Sequence, residues 1–316
     1  MKKVFINPGW GRTAGTTLRD MYWLHSQICT LARPWSNETR AFIVELTRNE
    51  ANYNHRLVLN MIDRFYCGDD KAYLLSDENI LDGNALQPNT GTISVFARRI
   101  KELFKDPCII LNLRNQITWI ESYYSNLGRK LKNVPKPFDG RYVGFLPWLE
   151  WQSDNWEHSF IDLIDYNKYV NIFVEIFGRE NVHVFLYEDF VHQQEVFVSE
   201  LCSLMGIDET EGFSLVQKKH INPQKSANVI RYMRFREWFF PSVRLHTLLP
   251  GGNTILDKFS VLLRKGPPQG KIRIPDEWEK RLRNYYREGN VALSNEFGVR
   301  EKFIEYGYSM DGNSIS

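Results

Sequence analysis

The chain has 316 residues, 43% of them apolar and 25% charged, so it is long enough to bury a large core and has the composition of an ordinary soluble globular protein. Its 40 basic against 38 acidic side chains leave a formal charge of +2, which excludes the broad field that draws a protein to nucleic acid or a membrane surface; any anion site must be local. No apolar run approaches the ~20 residues of a membrane span, and the apolar stretch at residues 4–6 is too short for a signal peptide.

Residues 4–6 read as a short buried strand that runs through a glycine-rich turn at 8–15 into an amphipathic helix beginning near Gly15. Strand-length apolar runs follow at 72–75, 108–113 and 182–186, each leading into a segment of helical periodicity. Helices are expected over 92–105, 116–131, 166–178, 190–205, 227–240 and 276–297, the last opening on Pro275-Asp276-Glu277. This alternation predicts an α/β fold with a central, mainly parallel sheet flanked by helices, in a single domain over 1–316 that is mostly helical from about 215. The segments 128–140 and 264–273 are basic and rich in Pro and Gly, and read as loops of the kind that close over ligands. Cys29, Cys67, Cys108 and Cys202 show no CxxC or metal-ligand spacing, which predicts reduced thiols, a cytoplasmic location and no metal site.

The run Gly9-Trp10-Gly11-Arg12-Thr13-Ala14-Gly15-Thr16-Thr17 after the first strand is a phosphate-binding arrangement. Glycines let backbone N–H groups converge on an anion, and the helix that starts there adds its positive end. A Walker A loop requires Lys and then Ser/Thr after the second glycine, whereas Gly15 is followed by Thr16-Thr17. The cation stands before the glycine, at Arg12, where it can reach the oxygen that bridges a phosphate and a transferred group.

Arg12-Thr13-Ala14-Gly15-Thr16-Thr17-Leu18 resembles the Lys-Thr-Gly-Gly-Thr-Thr-Leu loop of sulfotransferases, especially the Golgi carbohydrate class and its bacterial relatives. In that family the loop wraps the 5′-phosphosulfate of 3′-phosphoadenosine 5′-phosphosulfate (PAPS). Arg12 replaces the lysine, keeping charge but not point-charge geometry, and Ala14 replaces a glycine. A second, independent block, Arg114 followed by Ser122, is similar to the family's Arg-x7-Ser element that holds the 3′-phosphate; the usual proline two residues after the arginine is Gln116 here. Tyr187-Glu188-Asp189 resembles the strand end whose tyrosine lies against adenine, and Arg264-Lys265-Gly266 resembles the loop that closes on the 3′-phosphate. The resemblance covers residues 3 to 298 and implies a P-loop nucleotide-kinase-like sulfotransferase fold, PAPS as donor, 3′,5′-adenosine bisphosphate as product and no metal.

Sulfuryl transfer needs an aligned acceptor, a base and a cation over the leaving phosphate. Ser76-Asp77-Glu78 puts carboxylates just past a strand end, where some sulfotransferases carry a catalytic glutamate. Glu78 is the expected base, with Asp77, His25 and His55 as rivals and His220-Ile-Asn222 as a loop within reach of the donor. Phe138, Tyr142, Phe145, Trp148 and Trp151 supply either an acceptor-stacking surface or the core of a helix. The expected acceptor is a hydroxyl or amine of a carbohydrate or other small molecule, with no nucleic acid and no membrane span. A P-loop phosphotransferase and a non-catalytic nucleotide-binding scaffold are the alternative readings.

Overall fold

The structure, a computed structural model, describes residues 3–30, 37–65, 67–68, 70–77, 80–81, 90–125, 144–155, 159–217, 228 and 272–310. Five strands, β1 (Val4–Asn7), β2 (Ile28–Thr30), β3 (Ala72–Ser76), β4 (Cys108–Leu113) and β5 (Val182–Leu186), form a parallel sheet in the order β2-β3-β1-β4-β5. The described helices are α1 (Gly15–Leu24), α2 (Asn37–Thr47), α3 (His55–Arg64), α4 (Thr90–Leu103), α5 (Gln116–Tyr123), α6 (Phe145–Asp154), α7 (Phe160–Leu163), α8 (Tyr166–Phe177), α9 (Tyr187–His192), α10 (Gln194–Met205), α11 (Glu209–Gln217), α12 (Asp276–Phe297) and α13 (Arg300–Glu305).

All six residues of β4 and all four of β1 are buried, the continuous burial of parallel strands covered on both faces. On one side Leu18, Met21 and Tyr22 of α1 and Leu201 and Cys202 of α10 close over Phe5, Leu74 and Ile110. Each large apolar side chain so buried contributes roughly 1.5–3 kcal/mol. Elsewhere α4 packs on α8, and α8 on β4 and β5.

Strands β4 and β5 and helix α12 fall where the sequence predicts them, and β1 and β3 each run one residue further. The short strand β2 was not expected, because three residues are too few for a periodicity to show. The helix expected over 190–205 is two helices, α9 and α10, separated at Gln193, whose φ of −136° and ψ of 53° are not helical. The helix expected over 227–240 lies outside the described residues except for residue 228.

The chain forms two compact units, residues 1–116, 160–219 and 280–316, which carry the sheet, and residues 117–159 and 220–279. In the second unit, Trp119 stacks on Tyr123 at 4.6 Å, and Tyr124 meets Phe145 at 4.9 Å and Trp148 at 5.3 Å. Trp148 is fully buried, so it serves as core; Phe145 and Trp151 are half-buried, and Phe138 and Tyr142 lie outside the described residues.

The cysteines require a correction. Cys108 and Cys202 are free and buried as expected, but Cys29 and Cys67 form a disulfide across 38 positions. The pairing of β2 with β3 sets Cys29 opposite Tyr73, and the Tyr73 hydroxyl accepts the Cys67 N–H at 3.0 Å and donates to the Gly68 carbonyl at 2.9 Å. Strand pairing, not local spacing, thus brings the thiols together. No described helix is long and apolar enough to cross a membrane. Closing a loop of 38 residues is worth about 4 kcal/mol in the chain-entropy account. The double variant Cys29→Ser, Cys67→Ser is therefore expected to melt on the order of 5 °C lower than the oxidised protein. Reductant should lower the oxidised protein to the same point in calorimetry; a melting point indifferent to reductant would show that the bond does not form in solution.

Candidate functional site

In the order β2-β3-β1-β4-β5 the chain leaves β1 toward β2 on one side and leaves its neighbour β4 toward β5 on the other, and the crevice at the carboxyl ends of two such strands takes ligands in parallel sheets. The chain leaves β1 through Asn7, whose Oδ1 accepts the Gly9 N–H at 3.2 Å in an Asx turn. A Cβ on Gly9 would stand 2.9 Å from that oxygen, so a larger residue here would displace the Asn7 side chain from the turn. Trp10 is fully buried, donates through Nε1 to the Leu163 carbonyl at 2.9 Å and meets Tyr166 edge-on at 4.8 Å, which pins the loop to the body of its unit. The Thr13 hydroxyl donates to the Trp10 carbonyl at 2.6 Å.

On either side of Thr13 the backbone is left-handed, with φ of 70° at Arg12 and 65° at Ala14. Residues with a Cβ rarely adopt this conformation, and alternation of this kind turns successive N–H groups into one concavity. Ala14 caps α1 with no side-chain hydrogen bond, and the first turn holds no acidic residue. The opening N–H groups of a ten-residue helix therefore face the concavity with their partial positive charge, an arrangement suited to an anion.

Register brings the second half of the site to the loop. Leu113 of β4 pairs with Leu186 of β5, so the residues that follow, Arg114 and Tyr187, leave the sheet side by side. The Arg114 guanidinium lies 4.4 Å from the centre of the Tyr187 ring and donates to the Arg12 carbonyl at 3.0 Å, while the Tyr166 hydroxyl donates to the Arg114 carbonyl at 2.7 Å. The next residues lock the two turns. Glu188 accepts the Asn115 N–H at 2.9 Å and the Tyr308 hydroxyl at 3.1 Å; Asp189 takes Lys302 at 2.8 Å and the Tyr306 hydroxyl at 2.7 Å. The C-terminal segment thereby braces the strand ends that present Arg114 and Tyr187.

The sheet-bearing unit thus joins Arg12, Thr13, Ala14, Gly15, Thr16, Thr17, Arg114 and Tyr187 at one edge. Ser122 is half-buried on α5 within the second unit. Glu78, Arg264, Lys265, Gly266, His220 and Asn222 lie outside the described residues. Asp77 is described: it is 7% exposed just past β3, and its N–H donates to the Asn7 carbonyl at 3.2 Å. His25 is buried with both ring nitrogens engaged, accepting the Gln27 N–H at 3.2 Å and donating to the Asp208 carbonyl at 2.9 Å, so it is a structural histidine. His55 is exposed at the start of α3, against the Tyr53 hydroxyl at 3.3 Å. Among the described residues no group of His, Cys, Asp and Glu could hold a metal ion.

No protein-family model matches the sequence, and no curated protein matches it. In three dimensions the chain is similar to the solved structure of a sulfotransferase from Alicyclobacillus acidocaldarius, with a TM-score of 0.55 and 14% identity over 94% of this chain and 96% of that one. The fold is shared with sulfotransferases. Weaker likenesses, on which nothing rests, are to the sulfotransferase domain from the curacin biosynthetic pathway (TM-score 0.42, 15% identity, 70% of this chain and 78% of that one) and to mouse sulfotransferase SULT7A1 complexed with PAP (TM-score 0.39, 14% identity, 90% and 88%).

Sequence reasoning gave no role to Trp10, Tyr166 or Glu188, because their value lies in partners distant along the chain. Burial raises the Glu188 carboxyl above its ordinary 4.5, against the pull of the Asn115 N–H and the Tyr308 hydroxyl. The folded state therefore favours the protonated form, and this contribution to stability is fully present below about 4.5 and lost as pH rises through the raised native value. Glu188→Gln cannot ionise. The stability of the natural protein relative to this variant should accordingly fall as pH rises above about 4.5 in denaturant titrations; a difference independent of pH would mean that the carboxyl is fully solvated.

Proposed function

We propose that the protein is a sulfotransferase that moves a sulfuryl group from PAPS to a hydroxyl or amine of a carbohydrate or other small acceptor. The observation that carries this reading is the convergence of the left-handed loop at Arg12–Ala14 with Arg114 stacked on Tyr187. A nest of N–H groups, a guanidinium and an aromatic ring on one edge suit a nucleotide with phosphates at both its 5′ and 3′ positions. Arg12 to Thr17 hold the 5′-phosphosulfate, with Arg12 over the oxygen that takes up charge as the bond to sulfur breaks. Arg114 and Ser122 hold the 3′-phosphate, Tyr187 lies against adenine, and Arg264-Lys265-Gly266 complete the enclosure. Phosphoryl transfer is the poorer fit, since the loop lacks the Lys-Ser/Thr pair that serves a nucleoside triphosphate and its Mg²⁺.

Calorimetric titration tests the nucleotide site. Arg114→Ala should weaken 3′,5′-adenosine bisphosphate at least tenfold more than it weakens adenosine 5′-phosphate, given that a charge-assisted hydrogen bond contributes about 1.5–3 kcal/mol. Both ligands bind through the 5′ loop, so the ratio isolates the 3′ contact from any loosening of the Arg12 carbonyl. Equal loss for the two would remove Arg114 from the 3′-phosphate.

The base comes from the turn after β3, with Glu78 as the assignment and Asp77 as its rival. Glu78→Gln should lower turnover by roughly 10²- to 10⁴-fold with little change in bisphosphate affinity, because a base acts in the transition state. If Asp77→Asn shows that loss and Glu78→Gln does not, the base is Asp77.

A further inference from the structure

Arg114 is the first residue past β4, where the ladder with β5 ends at the Leu113–Leu186 pair. Beyond that pair its main-chain N–H and C=O need partners from outside the sheet, since a peptide group withdrawn from water and left unmatched costs free energy. A single side-chain atom supplies both. The Tyr166 hydroxyl donates to the Arg114 carbonyl at 2.7 Å and accepts the Arg114 N–H at 3.4 Å. One oxygen thus closes on both ends of one residue and restricts its φ and ψ. With them it sets the direction in which the guanidinium leaves the sheet toward the Tyr187 ring and the Arg12 carbonyl.

Tyr166 is held firmly enough to do this. It opens α8, whose buried residues Tyr166, Tyr169, Val170, Phe173 and Phe177 recur at the helical period on one face, and the helix packs on β4 and β5. Its ring meets Trp10 edge-on at 4.8 Å, and it is 1% exposed, so it acts through these neighbours and touches no ligand itself. Burial raises its pKa, and the hydroxyl keeps its proton through the ordinary pH range. Phenylalanine would fill the same space in the core. What the oxygen adds is its grip on Arg114.

A guanidinium reads phosphate through a planar fork of fixed geometry, so a change in its direction loses contact. Sulfate donors with and without a 3′-phosphate share the adenine and the 5′-phosphosulfate, and they differ at the group assigned above to Arg114. We infer that Tyr166 is a positioning residue that sets selectivity for the 3′-phosphorylated donor over adenosine 5′-phosphosulfate by holding the main chain of Arg114. This rests on the sulfotransferase reading above and names the residue on which its choice of donor turns.

Calorimetric titration with 3′,5′-adenosine bisphosphate and with adenosine 5′-phosphate gives the preference for a 3′-phosphate as a ratio of dissociation constants. Tyr166→Phe keeps the ring against Trp10 and removes only the hydroxyl. It should lower that ratio by roughly three- to tenfold, the worth of a hydrogen bond. Turnover with PAPS should show the loss in KM and little change in kcat, because Arg114 serves the nucleotide and not the bond that breaks. Added to Arg114→Ala, Tyr166→Phe should leave the ratio where Arg114→Ala alone puts it, since the hydroxyl acts through that guanidinium. Tyr286→Phe is the control. Its hydroxyl is as deeply buried and also donates to a main-chain carbonyl, that of Ile161 at 2.9 Å, so its loss should lower stability and spare the ratio. An unchanged ratio in Tyr166→Phe, an equal fall in Tyr286→Phe, or a further fall in the double variant overturns the role of Tyr166 and leaves the sulfotransferase reading intact. Failure of the natural protein to bind the bisphosphate instead overturns that reading and the role of Tyr166 with it.

Discussion

Strand β1 hydrogen-bonds in parallel to β3 on one side and β4 on the other, and β4 to β5. Parallel pairing leaves no freedom in direction, so four strand ends emerge at one edge with every turn that follows them. Asn7 stands opposite Ser76, and Leu113 opposite Leu186. Those two registers bring the loop after β1 beside the Asp77 turn, and Arg114 beside Tyr187. A slip of one residue in either pairing would turn the strand's side chains to the other face and scatter the site.

Holding the loop in place has a cost that can be set against its anchors. Left-handed backbone at Arg12 and Ala14 costs roughly 1–2 kcal/mol for each residue. Thr13 to Trp10, Trp10 to Leu163 and Arg114 to the Arg12 carbonyl supply hydrogen bonds of about 0.5–1.5 kcal/mol each, and the burial of Trp10 adds more. The two sides are of similar size, so the loop is stable only while its anchors are intact. Tyr166 ties these anchors together: it packs against Trp10 and donates to the Arg114 carbonyl. An anion arriving at the exposed N–H groups meets a concavity already formed, and little further ordering is needed.

What the sequence made legible, and what it did not, follows the range of the interactions. The apolar runs that became β1, β3, β4 and β5 and the glycine turn before α1 could be read because strand burial and loop geometry are local signals. The adjacency of Arg114 and Tyr187 was implied only by resemblance; the register of β4 on β5 gives it a physical cause. The Cys29–Cys67 bond could not be read, since it depends on β2, a strand too short to recognise, and on Tyr73 shaping the turn at Cys67. His25 looked available for catalysis, whereas its two partners, Gln27 and Asp208, include one 183 positions away. Asn112 carried a signal that went unused: a polar residue inside CIILNL has to be explained by what it faces.

Departures from local rules mark function more dependably than agreement with them does, because a sequence has no reason to carry strain that nothing uses. Among the described residues the non-glycine positions with positive φ are Arg12, Ala14 and Asp106, and two of these three fall within three positions of each other in the loop after β1. Asn112, whose buried side-chain carbonyl has no hydrogen-bond partner among the described residues, is one of the residues that line a small cavity under that same loop. Glycine at position 14 would relieve the backbone, and an apolar side chain at 112 would relieve β4; the chain has neither. The two costs are of different kinds, one conformational and one electrostatic, and they fall on different elements, the loop after β1 and strand β4. Their meeting at the carboxyl edge beside β1 is independent of any likeness to other proteins, and it is the physical ground for the site proposed there.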